Sequence, residues 1–347
     1  MAVQIEELNS ALIEGLPAFN VAVWDFPHDQ AFLRWFFHAP DTVVMVAHDD
    51  GRWLAALGVY VRRYLHENQP VDCFETFAWA RLPTQEAQGL GIKLMKAFMR
   101  RGKPLVALGG SASTLDYMPR LGFKVIAHAP VLNLPLSAGA AAAVPGLKGR
   151  LARLGLTFLG PLLRPKPHAS REIRLVPLSH LDLPTLQSNV LPGFQATYTV
   201  EFFRALTSGY SEVGTFLPFR FIRDGEIAGW AFARVAEERR GFLVGRLLET
   251  KFAPWTHADA RRTMMHAVTA SLAGFGVGIV RALTTCPDTI AALRALHFTS
   301  KSVDNPALVY PAGLTFGNEP VRISVLRADG GVLPLPPRTE LESRAHA

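Results

Sequence analysis

The stretch Ala80-Arg81-Leu82-Pro83-Thr84-Gln85-Glu86-Ala87-Gln88-Gly89-Leu90-Gly91-Ile92-Lys93-Leu94-Met95 decides how this chain is read. It closes an apolar, strand-like run over residues 71–82 and opens a helix-like run over 90–101. In the second run Ile92, Leu94, Met95 and Phe98 recur near helical spacing. A strand that ends in a glycine loop opening a helix is an anion cradle. The glycines let the backbone approach a ligand, and the amides of the helix start lack intrahelical partners. Gly89, Leu90 and Gly91 offer those amides, Gln88 precedes them in the loop, and Lys93 adds positive charge from the helix.

On either side of this stretch, the first half alternates strands and helices. Residues 29–38 read as a short helix, and 42–47 and 53–61 as strands flanking the turn Asp49-Asp50-Gly51. Residues 105–108 form a buried strand ending in Gly109-Gly110, 113–121 a helix, and 124–134 a further strand. The second half repeats this order. Strands are expected at 172–178, 214–222, 227–235, 242–253, 279–283 and 303–310. Helices are expected at 180–191, 199–207, 257–272 and 288–296. A pattern present twice in one chain is the strongest statement about its organisation.

The loop resembles the acyl-CoA loop of the GNAT (GCN5-related N-acetyltransferase) superfamily. That loop runs [Arg/Gln]-x-x-Gly-x-[Gly/Ala] after a proline six residues before the first glycine. Glu86-Ala87-Gln88-Gly89-Leu90-Gly91 and Pro83 fit it, with Glu86 standing where the family prefers Arg or Gln. Residues 117–123 (YMPRLGF) look like the family's helix followed by Leu-Gly-Phe, and Gly109-Gly110-Ser111 falls where the family splays two strands around the pantetheine arm. The resemblance covers roughly residues 30–134. It implies an α/β (α+β) fold of two GNAT-like domains in tandem, each a mixed, mostly antiparallel sheet flanked by helices. It also implies acetyl-CoA or another acyl-CoA as co-substrate, held by Gln88, Gly89, Leu90, Gly91, Lys93 and Ser111.

Two catalytic candidates follow. Direct acyl transfer to an amine needs a base, and Glu75 lies fourteen residues before Gly89, the offset of the base glutamate in histone-acetyltransferase-like members. Burial among apolar neighbours would favour its protonated form and bring it toward a working range. The family's general acid is a tyrosine four residues before the late glycine. Met118 occupies that position, and Tyr117 is one residue off. A carboxylate facing pyrophosphate is unfavourable, so Glu86 is expected to point away. The second half keeps the frame and loses the loop: after Pro254 comes Trp255-Thr256-His257-Ala258-Asp259-Ala260, without glycine. Glu249 stands on its equivalent strand, and this half reads as a degenerate repeat that shapes an acceptor site.

The expected division is 1–136 for the first domain, 137–170 for a linker, 171–333 for the second domain and 334–347 for a mobile tail. No Asp or Glu occurs from residue 117 to 171, a span that carries Arg120, Lys124, Lys148, Arg150, Arg153, Arg164, Lys166 and Arg171. Such a basic linker suits peripheral contact with anionic membrane. It pairs with no nucleic-acid motif, so no nucleic-acid partner is expected. The chain begins MAVQIEELNS, acidic where a secretory leader is basic, and Cys73 and Cys286 read as core thiols. A reduced, cytoplasmic protein is expected. The histidines lack metal-ligand spacing, so no metal is expected. Residues 109–113 lack the closing glycine of a nucleophile elbow. A dinucleotide loop would need a third glycine near Leu94.

The expected activity is CoA-dependent transfer of an acetyl or longer acyl group to an amine or hydroxyl of an unidentified small molecule or polymer. By resemblance, tandem chains of this size also accompany envelope or exopolysaccharide assembly. The alternative is a non-catalytic acyl-CoA sensor. Aminoacyl-tRNA-dependent peptidoglycan ligases also use tandem GNAT-like domains, but their long helical hairpin has no counterpart here, so groups other than aminoacyl are expected.

Overall fold

The computed structural model describes residues 3–24, 30–37, 41–137, 174–177, 190–199, 202, 214–238, 242–301 and 305–324. Residues 138–170 of the expected linker and the tail 334–347 lie outside them, as do almost all of 180–191 and 199–207. In the first half the order is β1 (Gln4–Glu7), α1 (Leu16–Trp24), α2 (Gln30–Phe37), β2 (Thr42–Asp49), β3 (Arg52–His66) and β4 (Gln69–Arg81). Then come α3 (Leu90–Met99), β5 (Leu105–Leu108), α4 (Ala112–Tyr117), β6 (Lys124–His128) and β7 (Val131–Pro135). The second half supplies β8 (Arg174–Pro177), β9 (Phe194–Ala196), β10 (Thr215–Arg223), β11 (Glu226–Glu238) and β12 (Phe242–Phe252). It continues with α5 (Ala258–Gly274), β13 (Ile279–Leu283), α6 (Pro287–Ala295), β14 (Thr299–Lys301), β15 (Pro306–Tyr310) and β16 (Val321–Arg322).

Local chemistry sets the hairpins. Asp50 and Gly51 both take positive φ, as do Asp224 and Gly225, which is the turn whose twist matches the flanking strands. The β3–β4 hairpin is longer than its apolar run suggested, because Glu67 and Asn68 form a third such turn well beyond Val61.

Two sheets result. The first runs β1-β2-β3-β4-β5-β15-β6, with β9 on β3 and β16 on β9; the second runs β14-β7-β13-β12-β11-β10-β8. Pairing is antiparallel except β4 with β5, β12 with β13, and β16 with β9. The two halves exchange strands. β7 leaves the first half to pair with β13, and β15 leaves the second half to lie between β5 and β6. The single strand expected over 124–134 is therefore two strands in different sheets, separated at Ala129-Pro130, where proline lacks the amide a ladder needs. The strand expected over 303–310 likewise shortens to β15, with β14 ahead of it on the other sheet.

The exchange leaves the halves sharing a core. One buried cluster unites Phe32, Phe36, Tyr60, Phe77 and Leu94 of the first half with Tyr198, Phe202, Trp230, Phe232 and Leu248 of the second. A second cluster, under α5 and α6, centres on Phe221, Met264, Val268, Leu272 and Leu293. Both cysteines are buried and free. No helix of the described residues is long and apolar enough to cross a membrane.

Candidate acyl-CoA and catalytic site

The glycine loop is built as an uncapped helix start. Gly89 precedes α3 with φ 77°, a conformation that disfavours other residues, and no side chain caps the helix there. The first turn of α3 contains no acid to mask its field. Gly91 is needed for a close approach: a Cβ there would lie 2.9 Å from Trp79 Nε1, which donates to the Gly91 carbonyl at 3.0 Å. Leu90 and Gly91 are buried, while Gln88 and Lys93 are exposed. Glu86 is held by Arg52, whose Nη2 donates to its Oε1 at 2.7 Å.

Beside this helix start, β4 and β5 come apart. They pair only through Phe74 with Leu105 and Glu75 with Val106. Beyond that point the Thr76 hydroxyl still reaches the Val106 carbonyl at 3.3 Å, and β4 then bulges, with Ala78 at φ 46°. β5 runs on into Gly109 and Gly110, both at positive φ. Ser111 caps α4, its Oγ accepting from the Thr114 amide at 3.2 Å. Tyr117 is 45% exposed, with the Arg120 guanidinium 5.5 Å from its ring centre, whereas Met118 is buried.

Glu75 is the last residue of β4 paired with β5, and only 8% of it is exposed. Sequence reading anticipated the burial and missed the partners. Arg62 Nε lies 3.4 Å from Glu75 Oε2, and the Tyr64 hydroxyl donates to the same oxygen at 3.2 Å. Asp41 stands 3.8 Å from Arg62 Nη2. Burial opposes the charge of Arg62, but Glu75, and after it Tyr198, Tyr64 and Asp41, outweigh that, so Arg62 is held protonated more firmly than usual. The Tyr64 hydroxyl is pushed up by burial first and by Glu75 second. The neighbouring Cys73 thiol is pushed up to about 12, by burial and then by Asp72 and Glu75.

The second half reaches the same place. The Arg62 guanidinium lies 5.1 Å from the ring centre of Tyr198 and 4.4 Å from that of Phe202. The Tyr198 hydroxyl donates to Glu249 Oε2 at 2.6 Å. Glu249 is buried with Lys251, whose Nζ is 3.9 Å from the same oxygen and donates to Gln195 Oε1 at 2.8 Å. Burial lowers the pKa of Lys251, with Glu249 opposing. Glu75 and Glu249 thus face one buried polar seam, while Tyr117 sits apart at the surface. Arg62 was detectable: it alternates with exposed Val61 and Arg63, so the strand period turns a cation inward. Tyr198 carried no such signal, because it follows the three-residue strand β9.

The matching loop of the second half is filled by its own side chains. His257 Nδ1 accepts from the Ala260 amide at 3.2 Å, so the start of α5 is capped. Arg261 Nε donates to Thr256 Oγ1 at 3.1 Å, and Asp259 sits in the first turn. Among the described residues, no three His, Cys, Asp or Glu side chains group to hold a metal ion.

No protein-family model and no curated protein sequence matches the chain. Solved structures do. Saccharomyces cerevisiae N-myristoyltransferase with bound myristoyl-CoA matches with a TM-score of 0.62 at 12% identity, over 97% of this chain and 90% of that one. An Enterococcus faecalis V583 protein, a probable N-acyltransferase, matches at 0.58 and 8% identity, over 90% and 74%. A GCN5-related N-acetyltransferase from Anabaena variabilis matches at 0.56 and 11%, over 88% and 72%. At these identities the likeness concerns the fold, and the fold of this chain is the tandem GNAT-type arrangement of mixed, mostly antiparallel sheets flanked by helices.

Proposed function

We propose that this chain is a CoA-dependent acyltransferase whose first half binds the acyl-CoA. The observation that carries the reading is the uncapped start of α3 at Gly89, set beside the divergence of β4 and β5. Free amides suit a pyrophosphate, and opened strands leave backbone groups for a pantetheine arm and for the developing oxyanion. Gln88, Gly89, Leu90, Gly91 and Lys93 hold the nucleotide side, with Ser111 across the cleft. The second half, its loop capped by His257, does not bind CoA and shapes the acceptor site. The co-substrate is acetyl-CoA or a longer acyl-CoA; one structural neighbour was solved with myristoyl-CoA.

The chemistry is direct attack. An amine or hydroxyl of the acceptor forms a bond to the thioester carbonyl carbon, the carbon–sulfur bond breaks, and the CoA sulfur leaves as the thiolate. Glu75 accepts the proton of the attacking group, directly or through a water, and Tyr117 is the candidate donor to the leaving sulfur. The acceptor is a small molecule or a polymer. The setting is cytoplasmic, with the basic linker suited to peripheral contact with anionic membrane.

A second reading is a non-catalytic acyl-CoA sensor. It is favoured by Tyr117, whose side chain lies at the surface beside Arg120. Native mass spectrometry of the purified protein, followed by calorimetry with acetyl-CoA and myristoyl-CoA, tests the shared part of both readings. Absence of binding to either removes them together. Binding without CoA release across a panel of amino sugars, polyamines and glycine-terminated peptides leaves the sensor.

A further inference from the structure

We infer that Tyr198 and Glu249 of the second half are positioning residues for the first half's base: together they fix Arg62 against Glu75. The inference rests on the proposed role of Glu75.

The geometry begins at Arg62. Its side chain is 4% exposed, and among the described residues Nη1 and Nη2 have no hydrogen-bond partner. A guanidinium plane is ordinarily fixed by two or more directional N–H bonds. Here ring faces do it, at 4.4 Å for Phe202, 5.1 Å for Tyr198 and 5.4 Å for Tyr60. Tyr60 is immobilised by stacking on Phe77 at 4.2 Å. Tyr198 stacks on Phe202 at 5.4 Å, and its tip is bonded to Glu249 at 2.6 Å. Glu249 is anchored in turn, since its Oε1 accepts from the Thr250 amide at 2.9 Å. A connected path of contacts runs from Glu249 through Tyr198 and Arg62 to Glu75.

Simple adhesion between the halves would not need this composition. A phenylalanine would stack on Arg62 as well as Tyr198 does, without burying a hydroxyl and a carboxylate. Two buried carboxylates, Glu75 and Glu249, meet two buried cations, Arg62 and Lys251, and burial works against the charge of Lys251. A buried cluster of ionisable groups costs stability and is what a site for handling a proton accumulates. Among the described residues, the titratable groups around Glu75 are Tyr60, Arg62 and Tyr64 of β3, Cys73 of β4, and Tyr198, with Asp41, Glu249 and Lys251 behind them.

The test follows the carboxyl resonance of Glu75 against pH in protein labelled at the glutamate carboxyl carbons, assigned by its loss in Glu75→Gln. Glu249→Gln removes a negative charge from the shared field, and the Glu75 midpoint is expected to move down by about half a pH unit. Tyr198→Phe removes the hydroxyl that anchors the ring to Glu249 and loosens that ring on Arg62, and the midpoint is expected to move up by about as much. Opposite shifts from two near-isosteric changes at one contact are not produced by lost adhesion, which lowers melting temperature alone. Midpoints that stay put, or move the same way, overturn the inference. Should Tyr198→Phe not fold, an unmoved or raised midpoint in Glu249→Gln does so by itself. The acid limb of CoA release should follow the same two shifts. If Glu75→Gln instead releases CoA at the wild-type rate, the reading of Glu75 as base has failed, whatever the midpoints do.

Discussion

Arg52 at the start of β3 donates to Glu86 at 2.7 Å, and this ties the one carboxylate of the glycine loop to the neighbouring hairpin. Both side chains are exposed, so the pair adds little to stability. Its value lies in where it keeps the charge. Arg52→Ala frees Glu86 beside the start of α3, and acyl-CoA affinity should fall about 3- to 10-fold. The double variant Arg52→Ala/Glu86→Gln should recover it, and the deficit should shrink in high salt. Calorimetry showing equal affinity in Arg52→Ala and wild type would falsify the placement of the pyrophosphate at this loop.

At Gly89, φ is 77° and a Cβ would meet nothing within 4 Å. A side chain there is strained but not obstructed, so strain and charge can be separated. Asn tolerates the left-handed region better than most residues. Gly89→Asn should therefore bind acyl-CoA within about tenfold of wild type, and Gly89→Asp, nearly the same size, should abolish binding through repulsion of phosphate. Equal loss in both variants would mean that only the backbone matters.

Much of the frame was legible because it rests on local signals. Asp50-Gly51 and Asp224-Gly225 announced their hairpins, and the apolar row of α3 announced its buried face. The exchange of β7 and β15 was not legible. A short buried strand has the same composition whichever sheet receives it, and Leu132 and Leu308 differ in nothing that names a partner. Pro130 carried the one available hint, a break inside an apparently continuous strand. Glu75 and Glu249 were each singled out on their strands, but their common seam depends on Arg62 and Tyr198, far from any motif.

Asp288, in the first turn of α6, bonds two arginines, Arg261 of α5 and Arg322 of β16. Arg322 also donates to the Pro192 carbonyl at 2.9 Å and approaches Cys286 Sγ at 3.3 Å. Removing one member of a mostly buried ion cluster strands the others. Asp288→Asn should lower unfolding free energy by about 3 kcal/mol, measured by urea denaturation, while acyl-CoA affinity per folded molecule stays at the wild-type value.

The Cys73 thiol is pushed from an ordinary value of 9.0 up to about 12, chiefly by burial. Folded protein should then leave Cys73 unalkylated by iodoacetamide at pH 8, in a Cys286→Ser background, because little thiolate forms. Between about 9 and about 12 the unfolded chain releases a proton that the folded chain keeps. The stability linked to this group is whole below 9 and drains away as pH rises toward 12. Cys73→Ala should lose that alkaline decline, and an identical decline in both proteins would assign it elsewhere.

Glu75→Gln tests the chemistry, and its reading must allow for Arg62. The glutamine keeps shape and accepts from Tyr64, but it cannot take a proton and leaves Arg62, among the described residues, with Asp41 at 3.8 Å as its remaining ion-pair partner. A drop in melting temperature is therefore expected alongside any kinetic effect, and rates must be expressed per folded molecule. Loss of a general base lowers turnover by about 10²- to 10⁴-fold. Affinity for acyl-CoA should stay nearly constant, because Glu75 stands at the last β4–β5 pair and is not among the residues assigned to the nucleotide. The pH dependence supplies the discriminating result. Wild-type turnover should rise through one ionisation, and the mutant should lack that limb. Glu249→Gln, by contrast, should keep the limb and displace it. If Glu75→Gln retains both turnover and limb while Glu249→Gln loses them, the base belongs to the second half. If neither change matters and acyl-CoA still binds, the protein senses the thioester and does not consume it.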